Sequence, residues 1–413
     1  MASAKSSART LAAPSVKTAA AISLAAFMAA CATAPSPGPA PSPPPPPGPA
    51  TQPEQQVQTR DGVTPPFMRG REIVRVGLLL PFTLRPQEAT AIYNAAELAL
   101  FELGNESTLL IPRDAGIDSA SAGATARSLV SDGADIIIGP VSREGVSGAA
   151  SVAQSNNIPM IGLSSDRTVG GNGVYLLSFQ LEDEVARLVS YAASQNIQSI
   201  ALLAPTNEYG RRVESALRAE AAAHGVTVVA SQLYNRTDAD ATAAANALAA
   251  LLRARPAQGV IIAENGAPLR AIGTALVQAG LDTSQVRLMG TSVWAGDAER
   301  EPSLAGAWYV SPDPAARTEF ENRYRAVFGE TPGRLASLGY DAVALAALLS
   351  RDRGAAGFSR GALELRDGFA GSDGLFRFNA NGAIERGLAI IQVGQGANSV
   401  LQSAPRRFPE SGT

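Results

Sequence analysis

The sequence contains one cysteine and one histidine in 413 residues. A single cysteine excludes a disulfide within the chain, and no Cys/His cluster is available for a transition metal. A Ser-His-Asp triad would need His224, which stands at the predicted end of a helix directly before Gly225. The sequence has neither a Gly-x-Ser-x-Gly elbow nor a phosphate-binding loop that ends in Gly-Lys-Ser or Gly-Lys-Thr. These absences predict a protein that is not an enzyme and needs no cofactor or metal.

Acidic residues are absent from the first 53 positions, where Lys5, Arg9 and Lys17 provide positive charge. Residues 19–30 then form an apolar stretch of 12 residues. This stretch has the length of the apolar core of a secretory signal, and it is too short to span about 30 Å of hydrocarbon as a helix. The pattern predicts a cleaved signal peptide at residues 1–30, and therefore export.

The only cysteine directly follows this apolar stretch, in the run Met28-Ala29-Ala30-Cys31. The run resembles a bacterial lipobox, with Met28 at a place where leucine is more usual. The resemblance implies that Cys31 is acylated and becomes the new N-terminus, and several acyl chains hold a protein firmly on a membrane. Ala32, rather than an aspartate, implies sorting to the periplasmic side of the outer membrane. The alternative is a chance free thiol near a terminus.

Proline is concentrated after the cysteine, since residues 35–53 contain 11 of the 28 prolines. Proline-rich segments favour extended polyproline II, which rises about 3.1 Å per residue. We expect residues 31–70 to form a disordered tether, in which the 19 residues 35–53 hold a domain on the order of 60 Å from its anchor. The composition changes near Arg71, where the folded part is expected to begin, and we expect it to extend to about residue 405.

The pattern of residues in the folded part predicts an α/β fold. Eight short apolar runs between residues 73 and 290 alternate with seven helix-length segments. Most runs are apolar throughout, which is typical of parallel strands covered on both faces. The length of the stretch exceeds that of one ordinary domain and fits two lobes. The net charge of −3 and the dispersed positive charges argue against nucleic acid as a partner.

Six short motifs mark the folded part along its length. They are Val74-Arg75-Val76-Gly77, residues 133–140, residues 157–161, Glu208-Tyr209-Gly210, Gly339-Tyr340-Asp341-Ala342 and residues 376–382. In this order they resemble the type I periplasmic binding proteins of the leucine-binding kind, over most of residues 72–400. The resemblance implies two lobes joined by hinge crossovers, each lobe a mostly parallel sheet flanked by helices. It implies lobe 1 at about 71–178 and 308–350, and lobe 2 at about 179–307 and 351–405.

Four further segments point to a subgroup of this superfamily. They are residues 179–186, 209–213, 367–378 and 386–393. They resemble the penicillin-binding protein activators, the LpoA-like outer-membrane lipoproteins. This resemblance implies an anchored, non-catalytic protein that binds and activates a class A penicillin-binding protein in peptidoglycan synthesis. The best-known activators carry a helical-repeat domain before the two lobes, and a proline-rich tether stands in that place here.

An alternative function is a substrate-binding lipoprotein that delivers an amino acid or a similar small molecule to an ABC permease. In amino-acid binders of this superfamily the ligand lies between the lobes, held by hydroxyls, backbone amides and one acid. Strand ends and helix N-termini meet in such a cleft. The candidate cleft residues are Ser142, Ser164, Ser165, Tyr209, Glu264 and Asn265, with Trp294 as an aromatic candidate.

Each of these candidates has a simpler structural explanation. The serines and Asn265 can cap helices, which Ser and Asn do without any ligand. Arg143 and Arg167 follow candidate serines closely and could fill the cleft. Trp294 and Trp308 flank a segment predicted to return the chain to the first lobe, so one of them could line the cleft or simply pack in a core.

Overall fold

The computed structural model describes residues 64–69, 72–104 and 106–408. The predicted signal peptide, Cys31 and nearly all of the predicted tether lie outside the described residues. Within the described part, no helix combines the length and the apolar character needed to cross a membrane.

Strands and helices alternate over most of the described chain. The strands are β1 (Val74–Leu80), β2 (Thr108–Asp114), β3 (Ile136–Ile138), β4 (Met160–Gly162), β5 (Val174–Leu176), β6 (Ser199–Pro205), β7 (Thr227–Tyr234), β8 (Gly259–Ile262), β9 (Arg287–Gly290), β10 (Trp308–Ser311), β11 (Phe369–Gly371), β12 (Gly374–Phe378), β13 (Ile384–Arg386), β14 (Ala389–Gln392) and β15 (Ser399–Gln402). The helices are α1 (Pro86–Glu102), α2 (Ser119–Ser131), α3 (Arg143–Ser155), α4 (Leu181–Ser194), α5 (Glu208–Ala223), α6 (Asp238–Ala254), α7 (Gly266–Gln278), α8 (Pro314–Phe328), α9 (Ala336–Ser350) and α10 (Arg360–Leu363).

The first lobe is built on a parallel sheet with the strand order β2-β1-β3-β4-β5. All seven residues of β1 are buried. Side chains alternate between two layers, so that Leu78 packs against one set of helices and Leu79 against the other. Gly77 lets α2 approach closely, since a Cβ there would lie 2.9 Å from a methyl group of Leu129. The largely apolar sequence of β1, in which Arg75 is the one charged residue, follows from this burial on both faces.

The second lobe is built on a seven-stranded sheet with the order β15-β14-β10-β9-β8-β6-β7. Strands β6 to β10 run parallel, and β14 and β15 add antiparallel strands at one edge. Two hydrophobic layers again flank the sheet, with Leu203 in one and Leu202 in the other. The two lobes confirm the predicted fold class.

The chain passes between the lobes three times, before α4, before α8 and before β14. Helices α8 and α9 return to the first lobe, where both pack against α1. Strands β11, β12 and β13 form a small antiparallel sheet that follows α9 and α10. Phe376 and Phe378 of this sheet lie in the core of the first lobe. Three covalent connections therefore hold one lobe against the other.

The structure corrects the predicted lobe boundaries at two places. Residues 308–311, predicted for lobe 1, form β10, which pairs in parallel with β9 inside the second sheet. Residues 351–386, predicted for lobe 2, lie mostly on the first lobe, because the aromatic side chains of β12 are buried in its core. The first chain segment of the second lobe therefore ends at Ser311, and the second segment begins at β14.

Candidate functional site

Two neighbouring cavities open between the lobes and share the side chains of Phe179, Val293 and Arg334. The smaller cavity has a volume of about 370 Å³, and the larger one of about 570 Å³. Ser165 of the first lobe and Tyr209 of the second lobe contribute to the wall of the smaller cavity. We call the two cavities together the interlobe cleft, and this cleft is the candidate site.

A buried carboxylate lies at the wall of the smaller cavity. Glu184 is in the first turn of α4, and its side chain is only 5% exposed. Its carboxylate accepts hydrogen bonds from the backbone N–H of Ser292, at 3.0 Å, and from the Ser292 hydroxyl. Burial raises the pKa of Glu184, while Arg334 and the two Ser292 donors oppose that rise. A charged carboxylate at this depth depends on a nearby cation.

Arg334 supplies that cation from the first lobe, where it lies in the loop before α9. Its Nη2 donates to the Ser292 Oγ at 2.6 Å and lies 3.6 Å from a carboxylate oxygen of Glu184. The guanidinium also stacks on Phe179, 4.5 Å from the ring centre. Arg386 lies 5.0 Å from the same ring centre. Cation–π contact and hydrogen bonding together fix the Arg334 side chain in the cleft.

A pair of hydroxyls lies beside this carboxylate. Tyr209 is in the first turn of α5, a helix that Asn207 caps by accepting from the Gly210 N–H at 3.0 Å. The hydroxyls of Tyr209 and Thr291 share a hydrogen bond of 2.7 Å. Burial raises the pKa of Tyr209, so its hydroxyl stays neutral and keeps its proton as a donor.

Two more arginines join the lobes at the rim of the cleft. Arg212 of α5 forms a bidentate pair with Glu182, with both distances 2.9 Å, and donates to the Ser165 carbonyl of the first lobe at 3.2 Å. Arg167 of the first lobe pairs with Asp183 of α4 at 2.5 Å. Contacts from Arg167, Arg212 and Arg334 therefore bridge the two lobes.

Three of the predicted site residues line the interlobe cleft. Ser165 and Tyr209 line the smaller cavity, and Asn265 lines the larger one. Asn265 precedes α7 without a capping hydrogen bond from its side chain. Its side-chain oxygen instead accepts from Arg236 at 2.7 Å. Helix capping therefore does not account for Asn265.

Two predicted serines lie elsewhere. Ser142 is exposed and caps α3, since its Oγ accepts from the Gly145 N–H at 3.1 Å. Ser164 is buried, and its Oγ accepts from the Asp166 N–H at 3.2 Å. Neither serine contributes to the walls of the two cavities. For Ser142, the structure therefore agrees with the capping alternative.

Glu264, a candidate cleft residue in the sequence, lies outside the walls of both cavities. Glu264 is 3% exposed and accepts hydrogen bonds from the Tyr234 hydroxyl at 2.7 Å and from Arg236 Nε at 2.9 Å. Arg236 Nη2 also contacts the Glu264 carboxylate, at 2.8 Å. Residues of its own lobe therefore neutralise Glu264, and it lines neither cavity.

Trp294 is corrected in the same way, because its side chain is fully buried in the core of the second lobe. Its indole N–H donates to the Ile262 carbonyl at 3.1 Å. Trp308 belongs to β10 and packs against Tyr191, with ring centres 5.1 Å apart. Both tryptophans therefore have the packing role that was the alternative prediction.

Some of the residues that do form the cleft were only partly indicated by the sequence. Glu184 was identified as a negative charge in the first turn of a helix, which the structure confirms, but not as a cleft residue. Phe179 was noted only within a family-like segment, and Arg334 carried no pattern. Arg143 was expected to affect the cleft, but it is 60% exposed and pairs with Asp166 at 3.0 Å.

The cleft contains no group arranged for catalysis among the described residues. No three Asp, Glu, His or Cys side chains of the described part come together as metal ligands. His224 lies at the end of α5, 3.9 Å from Glu220 of the same helix, and lines neither cavity.

A family model described as periplasmic binding protein matches residues 73–398. No curated protein matches the chain. Among solved structures, a putative branched-chain amino acid ABC transporter protein from Rhodospirillum rubrum is 19% identical with a TM-score of 0.70, covering 80% of this chain and 100% of that one. A solute-binding protein of an ABC transporter from R. palustris, in complex with benzoate, is 19% identical with a TM-score of 0.59, covering 81% and 97%. A branched-chain amino acid binding protein from Streptococcus pneumoniae, in complex with isoleucine, is 17% identical with a TM-score of 0.58, covering 80% and 99%.

Proposed function

The chain belongs to the periplasmic binding protein family, whose model matches residues 73–398, and from that premise we propose that it is a solute-binding protein of an ABC permease. In this proposal it is a non-catalytic periplasmic protein that takes an amino acid or a similar small polar molecule between its lobes. Similar structures contain bound isoleucine or benzoate, which are ligands of that size.

The observation that carries the proposal is the chemistry of the interlobe cleft. It presents a buried carboxylate on Glu184, guanidinium groups on Arg212 and Arg334, and hydroxyls on Tyr209 and Ser165. Charges of both signs on opposing lobes suit a small polar ligand, and cavities of this size are typical of small-molecule sites. Three chain crossings at the hinge allow the lobes to close around such a ligand.

A thermal-shift screen with single amino acids and small carboxylates tests this proposal. A ligand at about a hundredfold over its dissociation constant stabilises the fold by about 2.7 kcal/mol, so binding raises the melting temperature. We expect Tyr209→Phe to weaken the affinity of a hit by roughly tenfold, about 1.4 kcal/mol, because a buried hydroxyl contact is lost. Ser142→Ala is the matched control, since that serine lies outside the cavity walls. Equal affinities for both variants in calorimetry would show that the ligand binds elsewhere.

A second candidate function is activation of a class A penicillin-binding protein. It is supported by the resemblance of residues 179–186, 209–213, 367–378 and 386–393 to those activators, and the arginine contacts that bridge the lobes would present both lobes together to a protein partner. In this proposal an acylated Cys31 anchors the protein to the outer membrane and the tether raises its effective concentration near the synthase.

Peptidoglycan synthesis by purified class A penicillin-binding proteins, with and without residues 54–413, separates the two functions. Stimulation of one synthase would support the activator function. No stimulation, combined with no binding in a pull-down, would leave the solute-binding function alone.

A further inference from the structure

The Arg334 side chain lies where three cavities meet. It lines both cavities of the interlobe cleft, and it also lines a third cavity of about 590 Å³ between the start of α1 and the loop before α9. This side chain is 39% exposed, so it stands in open space with solvent on one side. Arg334 is therefore the side chain that these three cavities have in common.

The environment around the guanidinium has the features of a cation-binding subsite. The carboxylate of Glu184 provides negative charge, the Ser292 Oγ accepts a hydrogen bond at 2.6 Å, and Phe179 offers an aromatic face at 4.5 Å. Carboxylate, hydroxyl and aromatic face are the groups that recognise ammonium and guanidinium ions. Glu184 and Ser292 belong to the second lobe, whereas Arg334 enters from the first.

The buried carboxylate of Glu184 favours a cation at this place in the cleft. Glu184 is 5% exposed, and leaving such a charge without a partner is costly. Glu264, the acid predicted from the sequence, cannot take this role because Arg236 and Tyr234 already neutralise it. A molecule that brings its own positive charge is therefore best suited to replace Arg334 beside Glu184.

We infer that Glu184, Ser292 and Phe179 form a cation subsite, that Arg334 occupies it as an internal ligand, and that the ligand of this cleft carries an ammonium or guanidinium group that displaces Arg334. The ligand class rests on the proposed solute-binding function, whereas the subsite does not. Arg334 is then a specificity-determining residue, because neutral and purely anionic solutes do not offset the charge of Glu184 when they replace it.

Chemical rescue with methylguanidinium chloride tests the subsite directly. Arg334→Ala removes the internal cation and should bind methylguanidinium saturably in a calorimetric or NMR titration. The wild-type protein should bind it at least roughly tenfold more weakly, because the subsite is free in only a small fraction of molecules. Arg334→Met, which keeps apolar contact with Phe179, serves the same purpose if the alanine variant does not fold.

Two further variants make the test specific. Glu184→Gln/Arg334→Ala should not bind the probe, because the carboxylate is missing. Arg143→Ala is the matched control, since it removes an exposed arginine that pairs with Asp166 and lies outside the cleft. Equal probe affinity in the wild-type protein and in a folded Arg334 variant would overturn the subsite.

The ligand class is tested separately on the wild-type protein. Agmatine, putrescine and L-arginine are compared with benzoate and acetate, and each hit is repeated with Glu184→Gln. Binding of the cationic compounds, lost in Glu184→Gln, supports the inference. Binding of benzoate that Glu184→Gln leaves unchanged would overturn the ligand class while supporting solute binding. Rescue of Arg334→Ala without any solute hit would uphold the subsite and count against the proposed function.

Discussion

Asp341 lies at the hinge between the lobes, together with Asp373 and Arg386, and all three side chains are buried. Its Oδ1 accepts a hydrogen bond from the Ser372 N–H at 2.6 Å. Burial, followed by the charge of Asp373, raises the pKa of Asp341 to about 6, and Arg386 opposes this rise. The folded protein therefore holds a proton on this carboxyl that the unfolded chain releases at lower pH.

Asp341→Asn should change how stability depends on pH. Between the usual aspartate pKa and about 6, the folded state binds more protons than the unfolded state, so the free energy of unfolding falls as pH rises through this window. A shift of this size corresponds to on the order of 3 kcal/mol. Asparagine keeps an acceptor for the Ser372 N–H but has no titrating proton, so the variant should lose most of this fall.

Urea unfolding at a series of pH values from about 4 to 8 measures the effect, since each midpoint gives a free energy. Asp352→Asn is the matched control, because Asp352 is an exposed carboxyl just after α9. If Asp341→Asn and Asp352→Asn show the same pH dependence as the wild-type protein, the buried carboxyl is not responsible.

Among the residues of the interlobe cleft, some could be predicted from the sequence and others could not. Tyr209 and Asn265 were found because they stand at helix starts and strand ends, places that a pattern reveals. Arg334 lies in an irregular loop, and its partners are 42 and 150 positions away in the chain at Ser292 and Glu184. A contact of that kind depends on how the lobes pack, which no local pattern encodes.

At the scale of elements, the sequence predicted eight of the fifteen strands and seven of the ten helices of the described part, all between residues 73 and 290. Continuous apolar runs such as β3 and β8 were identified because burial on both faces leaves no polar alternation. Helix ends were also predicted from residue type. Gly225, predicted to follow the end of a helix, has a left-handed backbone with φ of +67° just after the end of α5. The predicted negative charge in the first turn of α4 is also confirmed.

The elements that were placed wrongly are short or depend on partners. β10 has four residues, and only its parallel pairing with β9 assigns it to the second lobe. β11 and β13 have three residues each, and they are held by pairing with β12. Tertiary pairing decides the lobe to which such strands belong, so the predicted lobe boundaries were wrong while the fold class was right.

At the scale of the whole molecule, the position of the lobes depends on weak contacts beside the crossover before α4, where Arg167 also donates to Gln180 at 3.0 Å. The Arg167–Asp183 pair and the Arg212 contact with the Ser165 carbonyl join the lobes at the rim of the cleft. Arg167 is 39% exposed and Asp183 is 33% exposed, so solvent screens the pair. Such contacts contribute up to about 1 kcal/mol each, which is enough to shift a balance between closed and open lobes without unfolding the protein.

Arg167→Ala/Arg212→Ala should therefore open the lobes while leaving each of them folded. A loss on the order of 1 kcal/mol changes the ratio of closed to open molecules by about fivefold, and small-angle X-ray scattering should show a larger radius of gyration. Arg218→Ala/Arg360→Ala is the matched control, because both arginines pair with glutamates on their own helices, at 2.7 and 2.8 Å. An unchanged radius of gyration in the first double variant would mean that Arg334 and the hinge residues Asp341, Asp373 and Arg386 hold the lobes without the rim contacts. An increase in the first variant only would mean that the rim arginines set the closure on which a ligand or a protein partner acts.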